Sequence, residues 1–414
     1  MRTIRSIRND TSNASETQRK VRCPPLGLFK KIKSGVSTYV RHTDWLLLLL
    51  CTTAAAYGCV LIYSTAKTAG LGASDYMIQV AACAAGLIAA IVISKIDYGV
   101  ICRCWPVLSG VSLILVLLTL LGLGLNVGGT DDTAWLGVPI GGGRYVTFQP
   151  SELMKITFII SFSYHLSKVR EHINELRTVL LLCLHGLVPI GLVFLQGDDG
   201  TALVFMCIFA AMMLVAGLRP VYFLVALIGG TALVPFVWNR MTDDKQARFL
   251  SLIFVDQYLA DEGWQQYLGL TAIGSGRLWG VGFLEGGNIG GYTLYARNND
   301  FIFTVAGEEF GFVGAVALLL LLLGIVLALL RDAMTARDFQ GMLLCAGLMA
   351  MIGFQSLINL GMNLRILPVI GITLPFFSRG GSSVGTLFLG VGLALSVHYS
   401  SRTRIRETIF TKHA

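Results

Sequence analysis

Charged side chains are scarce in this chain. Asp, Glu, Lys and Arg together make up 14% of its 414 residues, against roughly a quarter in ordinary soluble domains. That scarcity excludes a disordered protein, which stays open through high charge and low hydrophobicity. It also excludes a nucleic-acid binder, which needs a larger basic excess than the net +8 found here. Walker loops, dinucleotide fingerprints and Gly-x-Ser-x-Gly elbows are missing as well, so no nucleotide cofactor is expected. The cysteines (23, 51, 59, 83, 102, 104, 183, 207 and 345) lie in apolar runs or basic stretches. None sits in a loop exposed to oxidation, and no structural disulfide is expected. Cys102-x-Cys104 lacks zinc partners, and the histidines show no metal spacing; His165 and His185 are expected to be packed or hydrogen-bonded within the bundle. The first residues form no apolar core followed by a cleavage site, so no signal peptide is read there.

What the chain does have is apolar surface. Hydrophobic residues make up 54% of it, more than a soluble fold can cover with polar side chains. The expected fold class is therefore all-α, a polytopic integral membrane protein. A helical crossing needs about 20 apolar residues, and ten runs qualify: roughly 44–64, 76–95, 106–127, 152–168, 178–195, 201–218, 220–238, 301–330, 340–361 and 380–400. The domain organisation that follows is a basic tail over 1–43, a ten-helix membrane domain over 44–400, and a second basic tail over 401–414. Both tails are rich in Arg and Lys, which places both termini in the cytoplasm, and an even number of crossings agrees. The basic tail is also suited to anionic membrane lipids. A long outer loop over about 239–300 precedes the eighth helix. Loops of that length are usually functional, and Trp264, Tyr267, Leu268, Leu270 and Ile273 suggest an amphipathic segment at the interface.

Ionisable groups in or beside membrane spans are costly unless paired, hydrated or functional, and four clusters stand out. In Gln149-Pro150-Ser151-Glu152-Leu153-Met154-Lys155, Pro150 suits a first helical turn, with Ser151 or Gln149 available as a cap. Glu152 and Lys155 share a face, either as a buried ion pair or as a holder of an anionic ligand. The outer turn Gln196-Gly197-Asp198-Asp199-Gly200 is either a solvated turn or an acidic site able to hold a divalent cation. Asp300, in Asn298-Asn299-Asp300-Phe301, lies at the water–lipid boundary, where partial desolvation raises a carboxylate toward general-base range. Glu308 and Glu309 follow about 12 Å deeper and are expected to partner Lys or Arg. Finally, Pro375-Phe376-Phe377-Ser378-Arg379-Gly380-Gly381-Ser382-Ser383 reads as a broken helix whose free amides, with Arg379, could meet an anion. All four clusters fall on the outer side.

These motifs, in this order, resemble the shape, elongation, division and sporulation (SEDS) family, which includes FtsW and RodA. The resemblance spans about residues 44–400 and includes Ala272-Ile273-Gly274-Ser275-Gly276 and Asn359-Leu360-Gly361-Met362. It implies a peptidoglycan glycosyltransferase that polymerises lipid II into a growing glycan strand on the outer face of the bacterial cytoplasmic membrane, for division, elongation or sporulation. By the same resemblance Asp300 is the catalytic base, and Trp135, Gln149, Glu152, Lys155, Asp198, Ser378 and Arg379 line the substrate cavity. A divalent cation, Mg or Mn, held by Asp198, Asp199 or Asp300 would suit the diphosphate. A class B penicillin-binding transpeptidase is the implied partner. The chain departs from the family in Tyr295-Ala296-Arg297-Asn298-Asn299, where members commonly read Pro-Glu-x-His-Thr, and in Arg379, where a Tyr is usual. A lipid-precursor flippase and an inactive scaffold that recruits a transpeptidase are the competing readings.

Overall fold

The structure, a computed structural model, describes residues 39–68, 74–126, 133–141, 144–258, 263–287 and 297–411. Apolar runs become helices because a bilayer offers the backbone no other hydrogen-bond partner. The body that begins at Thr43 opens with α1 (Trp45–Thr68), α2 (Ser74–Ile93), the short α3 (Tyr98–Arg103) and α4 (Trp105–Leu118). A π turn over Thr119–Leu123 ends α4, with Gly122 at φ +94°. Next come α5 (Pro150–Lys168), α6 (Leu176–Leu195), α7 (Asp199–Val215) and α8 (Pro220–Trp238). After the short helices α9 (Asp243–Ile253), α10 (Val255–Tyr258) and α11 (Trp264–Ser275), the chain continues through α12 (Ile302–Glu309), α13 (Gly311–Met334), α14 (Phe339–Asn363) and α15 (Gly381–Thr411). The protein is a multi-pass membrane protein.

Helices stand at all ten expected positions, and among the described residues eight are long and apolar enough to cross a membrane. The other two have separate reasons. Helix α5 carries Glu152, Lys155 and Lys168, and α7 is only 17 residues long. The centre of the bundle is α14 and the first part of α15, each with 72% of its apolar window buried, whereas α8 buries none of its own.

Two features differ from the all-α sequence reading. The chain between α4 and α5 contains an antiparallel hairpin, β1 (Leu136–Gly141) against β2 (Arg144–Phe148). The expected helix over 301–330 is broken between Glu309 and Gly311, which adopts φ +66°. The groups freed by that break are taken up by the long loop. Phe312 N donates to the Arg277 carbonyl at 2.8 Å, and Val281 N donates to the Glu308 carbonyl at 2.9 Å. Gly280 makes this docking possible, because a Cβ there would lie 2.1 Å from the Glu309 carbonyl. Among its described residues the long loop carries three short helices, and its Arg277–Gly282 stretch is fixed to the bundle. Its α11, expected as an amphipathic segment at the interface, buries Gln266, Leu268, Gly269 and Ala272 against protein and leaves Tyr267 exposed.

At the end where α1 begins and α15 finishes, buried Asp44, Asp332 and His398 form an ionic cluster with half-buried Arg331. All four sequence clusters lie at the opposite end.

Candidate active site

Asp300 ends a turn that leads into α12, and its backbone is held from two directions. The Nδ2 atoms of Asn359 and Asn363 both donate to the Asp300 carbonyl at 2.8 Å. These residues are one turn apart on α14 and wholly buried. From the other side, Ser378 Oγ donates to the Asn299 carbonyl at 2.6 Å, and Arg379 N donates to the Asn298 carbonyl at 2.8 Å. Three consecutive carbonyls are therefore fixed by side-chain and backbone donors, and the half-buried Asp300 carboxylate faces Gly371. Gly371, at φ +70°, needs a residue without a Cβ to turn the chain there.

The turn supplying Ser378 and Arg379 is itself tightly held. Leu374 N donates to Ser378 Oγ, Ser378 N to the Leu374 carbonyl, and Gly380 N to Gln79 Oε1 of α2 at 3.0 Å. The amides of Leu374, Phe377, Ser378, Arg379 and Gly380 are spent inside the fold, which narrows the stretch expected to meet an anion to Gly381–Ser383 at the start of α15. Ser378, 4% exposed, is a bracket for Asn299. Phe376 sits at φ +69° with its ring buried edge-on against Phe388, a strained backbone of the kind held only where packing over-determines it. Arg379 remains half-buried at the rim.

One layer away, Lys155 Nζ donates to Glu152 Oε1 at 2.8 Å and to Gln355 Oε1 at 2.9 Å. Ser383 Oγ of α15 donates to the other Glu152 oxygen at 3.2 Å, and Gln355 passes its amide to the Thr373 carbonyl. Lys155 and Glu152 are 2% and 5% exposed, so of the two open readings the ion pair is the one this geometry displays. Helix α5 starts with Pro150, as expected, but neither proposed cap is used. Ser151 Oγ has no partner, and Gln149 turns away to donate to Asp198 Oδ2 at 2.8 Å.

Asp198 caps α7 through Oδ1, which accepts from Thr201 N at 2.9 Å. Asp199 pairs with Lys245 of α9. At Gly200 the first turn of α7 lies against Ile370, where a Cβ would come 2.9 Å from the carbonyl. The 370–372 segment is thus bordered by α7 on one side and Asp300 on the other. Trp135 is half-buried beside β1, and its carbonyl accepts from Leu125 N at 2.7 Å. Thr133 N reaches the Gln196 carbonyl of the acidic turn. Among the described residues, the one grouping of three acidic or histidine side chains close enough to share an ion is Asp44, Asp332 and His398, at the other end of the protein.

Glu308 and Glu309 have the cationic partner expected for them, and it comes from the segment that departs from the family. Arg297, 9% exposed, reaches Glu308 at 2.5 Å and Glu309 at 3.5 Å. Ser64 of α1 donates to Glu309 at 2.6 Å, and Gly287 N donates to Glu308 at 2.9 Å. Tyr295 and Ala296 lie outside the described residues. The bundle also contains the histidine contact expected of packed residues, with His165 Nδ1 and His185 Nδ1 3.0 Å apart.

Comparison with known proteins finds relatives along most of the chain. The family described as cell cycle protein, grouping FtsW, RodA and SpoVE, matches residues 44–403. A probable peptidoglycan glycosyltransferase FtsW from Trichlorobacter lovleyi is 31% identical over 86% of this chain and 92% of its own. The stage V sporulation protein E of Bacillus subtilis is 31% identical over 89% of this chain and all of its own length. Among solved structures, a chain of a peptidoglycan synthase complex, described as coordinating polymerization and crosslinking, superposes with a TM-score of 0.72 at 28% identity. That match covers 87% of this chain and 98% of the other. The rod shape determining protein RodA of Thermus thermophilus gives a TM-score of 0.61 at 29% identity, covering 86% and 96%.

Proposed function

Because the chain belongs to the FtsW, RodA and SpoVE family of cell cycle proteins, we propose that it polymerises lipid II into glycan strands at the outer face of the bacterial cytoplasmic membrane, with both termini in the cytoplasm. The observation that carries this reading is the immobilised Asp300. A general base must be held within hydrogen-bond reach of the proton it takes, and here its backbone is fixed by Asn359, Asn363 and the brackets on its two preceding residues. Asp300 accepts the proton of the acceptor sugar's 4-hydroxyl. The oxygen attacks the anomeric carbon at the reducing end of the growing chain, and the bond to the lipid diphosphate breaks.

Arg379 at the rim supplies a planar cation suited to phosphate, and Trp135 and Gln149 border the same mouth. Glu152 and Lys155 act behind this surface, holding α5 to α14 and α15. A Mg or Mn ion also fits the oxygen chemistry of the mouth. Asp198, Asp199 or Asp300 would hold it, and Asp199 keeps one buried oxygen without a hydrogen-bond partner. Mg sites commonly use one or two carboxylates and complete the shell with substrate phosphates. The relative solved within a synthase complex supports a penicillin-binding transpeptidase as partner.

The test is a gel assay of purified protein with its partner transpeptidase and labelled lipid II. Glycan ladders are expected. Transbilayer movement of lipid II without any polymer would replace this reading with that of a flippase.

A further inference from the structure

Two thiols that the reaction does not use sit face to face behind the site. Cys59 of α1 and Cys83 of α2 approach to 3.8 Å between sulfurs, and both are half-buried. The two helices they join are the ones that support the Leu374–Gly380 turn. On α1, the residue next to Cys59 is Gly58, whose backbone lies against the turn; a Cβ there would be 2.5 Å from the Phe376 carbonyl and 2.7 Å from Phe377 Cα. Tyr57 adds an edge-on contact to Phe377, with ring centroids 5.9 Å apart. On α2, Gln79 is one turn from Cys83 and accepts from Gly380 N at 3.0 Å. The turn carries Ser378, which brackets the residue before Asp300.

From this geometry we infer that Cys59 and Cys83 form an oxidation site, a dithiol whose conversion to a disulfide alters the seating of Asp300. Each thiol gives up its hydrogen and one S–S bond forms. Two electrons and two protons pass to a membrane-dissolved quinone, which leaves as the quinol. A disulfide holds its sulfurs at about 2.05 Å, so closure draws the facing stretches of α1 and α2 together or rotates them. Gly58 has no slack toward Phe376, and Gln79 holds the turn through two hydrogen bonds, one accepted from Gly380 N and one donated to the Ser378 carbonyl. The displacement is therefore passed to the turn. The regulatory consequence rests on the assignment of Asp300 as the base; the oxidation site itself does not.

The experiment uses the full-length protein in nanodiscs, oxidised with a soluble quinone analogue or copper–phenanthroline and then digested for mass spectrometry. A peptide linking Cys59 to Cys83 should dominate, disappear in C59S, and be reversed by dithiothreitol. Backbone amides of Ser378–Gly380 should exchange hydrogen faster in the oxidised protein than in the reduced one. Lipid II polymerisation should fall about tenfold, the scale expected when a reacting group is misplaced by a fraction of an ångström, and C59S should be insensitive to oxidant. Absence of the Cys59–Cys83 peptide while Cys104 reacts would overturn the site. A link that leaves both exchange and polymerisation unchanged would overturn its coupling to the turn. A reduced protein that makes no glycan defeats the proposed function instead, and the linked peptide and the exchange rates still decide this inference.

Discussion

The side-chain nitrogen of Asn363 and the backbone carbonyl oxygen of Asp300 lie 2.8 Å apart, joining residues 63 positions distant in sequence. Asn359 duplicates the contact one helical turn away. The second hydrogen of Asn363 Nδ2 is shared between the carbonyl and side-chain oxygens of Asn359, so α14 presents a preformed amide pair to the loop. The pair touches no reacting atom; it positions the residue that does. Asn363→Leu is expected to lower kcat about a hundredfold, the effect of small errors in placing a catalytic group, while KM for lipid II stays within a factor of about two. Steady-state kinetics on the purified complex separate the two parameters. Equal losses in both would assign Asn363 to substrate binding.

Lys155 and Glu152 form a pair that two further residues complete, Gln355 and Ser383. Removing one member of such a buried pair leaves an uncompensated charge and typically costs about 3–5 kcal/mol. Lys155→Met and Glu152→Gln should each lower the thermal midpoint, and the double variant should recover most of the loss. Thermal unfolding in detergent checks the cycle. A Lys155→Met protein of wild-type stability that binds lipid II poorly would instead give Lys155 a direct role with the diphosphate.

Much of this was legible in the sequence because membrane helices announce themselves by long apolar runs, and the ten positions read that way all carry helices. Asp300, Glu152 and Lys155 were legible because charge is conspicuous at membrane depth. The neutral amides were not, although a signal existed: Gln355, Asn359 and Asn363 recur every four residues on one face of α14, a polar stripe in an otherwise apolar helix. The hairpin also left a trace in the alternation of Leu136-Gly137-Val138 and Tyr145-Val146-Thr147-Phe148, and a scan for crossings passes over it. The break after Glu309 could not be read locally, because the groups that satisfy it come from Arg277 and Val281, more than twenty residues earlier in the chain. For the same reason the amides near Arg379 looked available in sequence, where Asn298 and Gln79 are out of view.

Gly58 shows how little room α1 leaves the Phe376–Phe377 turn. Its missing side chain is required by the Phe376 carbonyl, 2.5 Å from where a Cβ would sit, and the obstacle is backbone that cannot rotate away. Gly58→Ala should therefore destabilise the protein by about 1–3 kcal/mol, the usual cost of overpacking, and reduce polymerisation along with it. Gly110, on α4 with open space around its Cβ position, is the matched control, and Gly110→Ala should be neutral in both assays.

Arg297 pairs with two buried carboxylates at once. Arg297→Met should strand Glu308 and Glu309 beside each other and loosen the Gly282–Gly287 stretch, whose amides donate to them through Leu284 and Gly287. Limited proteolysis in that stretch should accelerate, and the thermal midpoint should drop by more than for Arg297→Lys, which keeps the charge. Unchanged proteolysis would mean the loop is held by its backbone contacts alone.

The central claim is that Asp300, fixed by α14 and the Leu374–Gly380 turn, is the base that activates the acceptor. Asp300→Asn preserves the shape and removes only the basicity, so it isolates that claim. Polymerisation of labelled lipid II by the purified variant with its partner should fall by about a hundredfold or more, within the range general-base catalysis contributes, while its thermal midpoint and partner binding match the unaltered protein. An Asp300→Asn enzyme that lays down glycan at a near-normal rate would contradict the account.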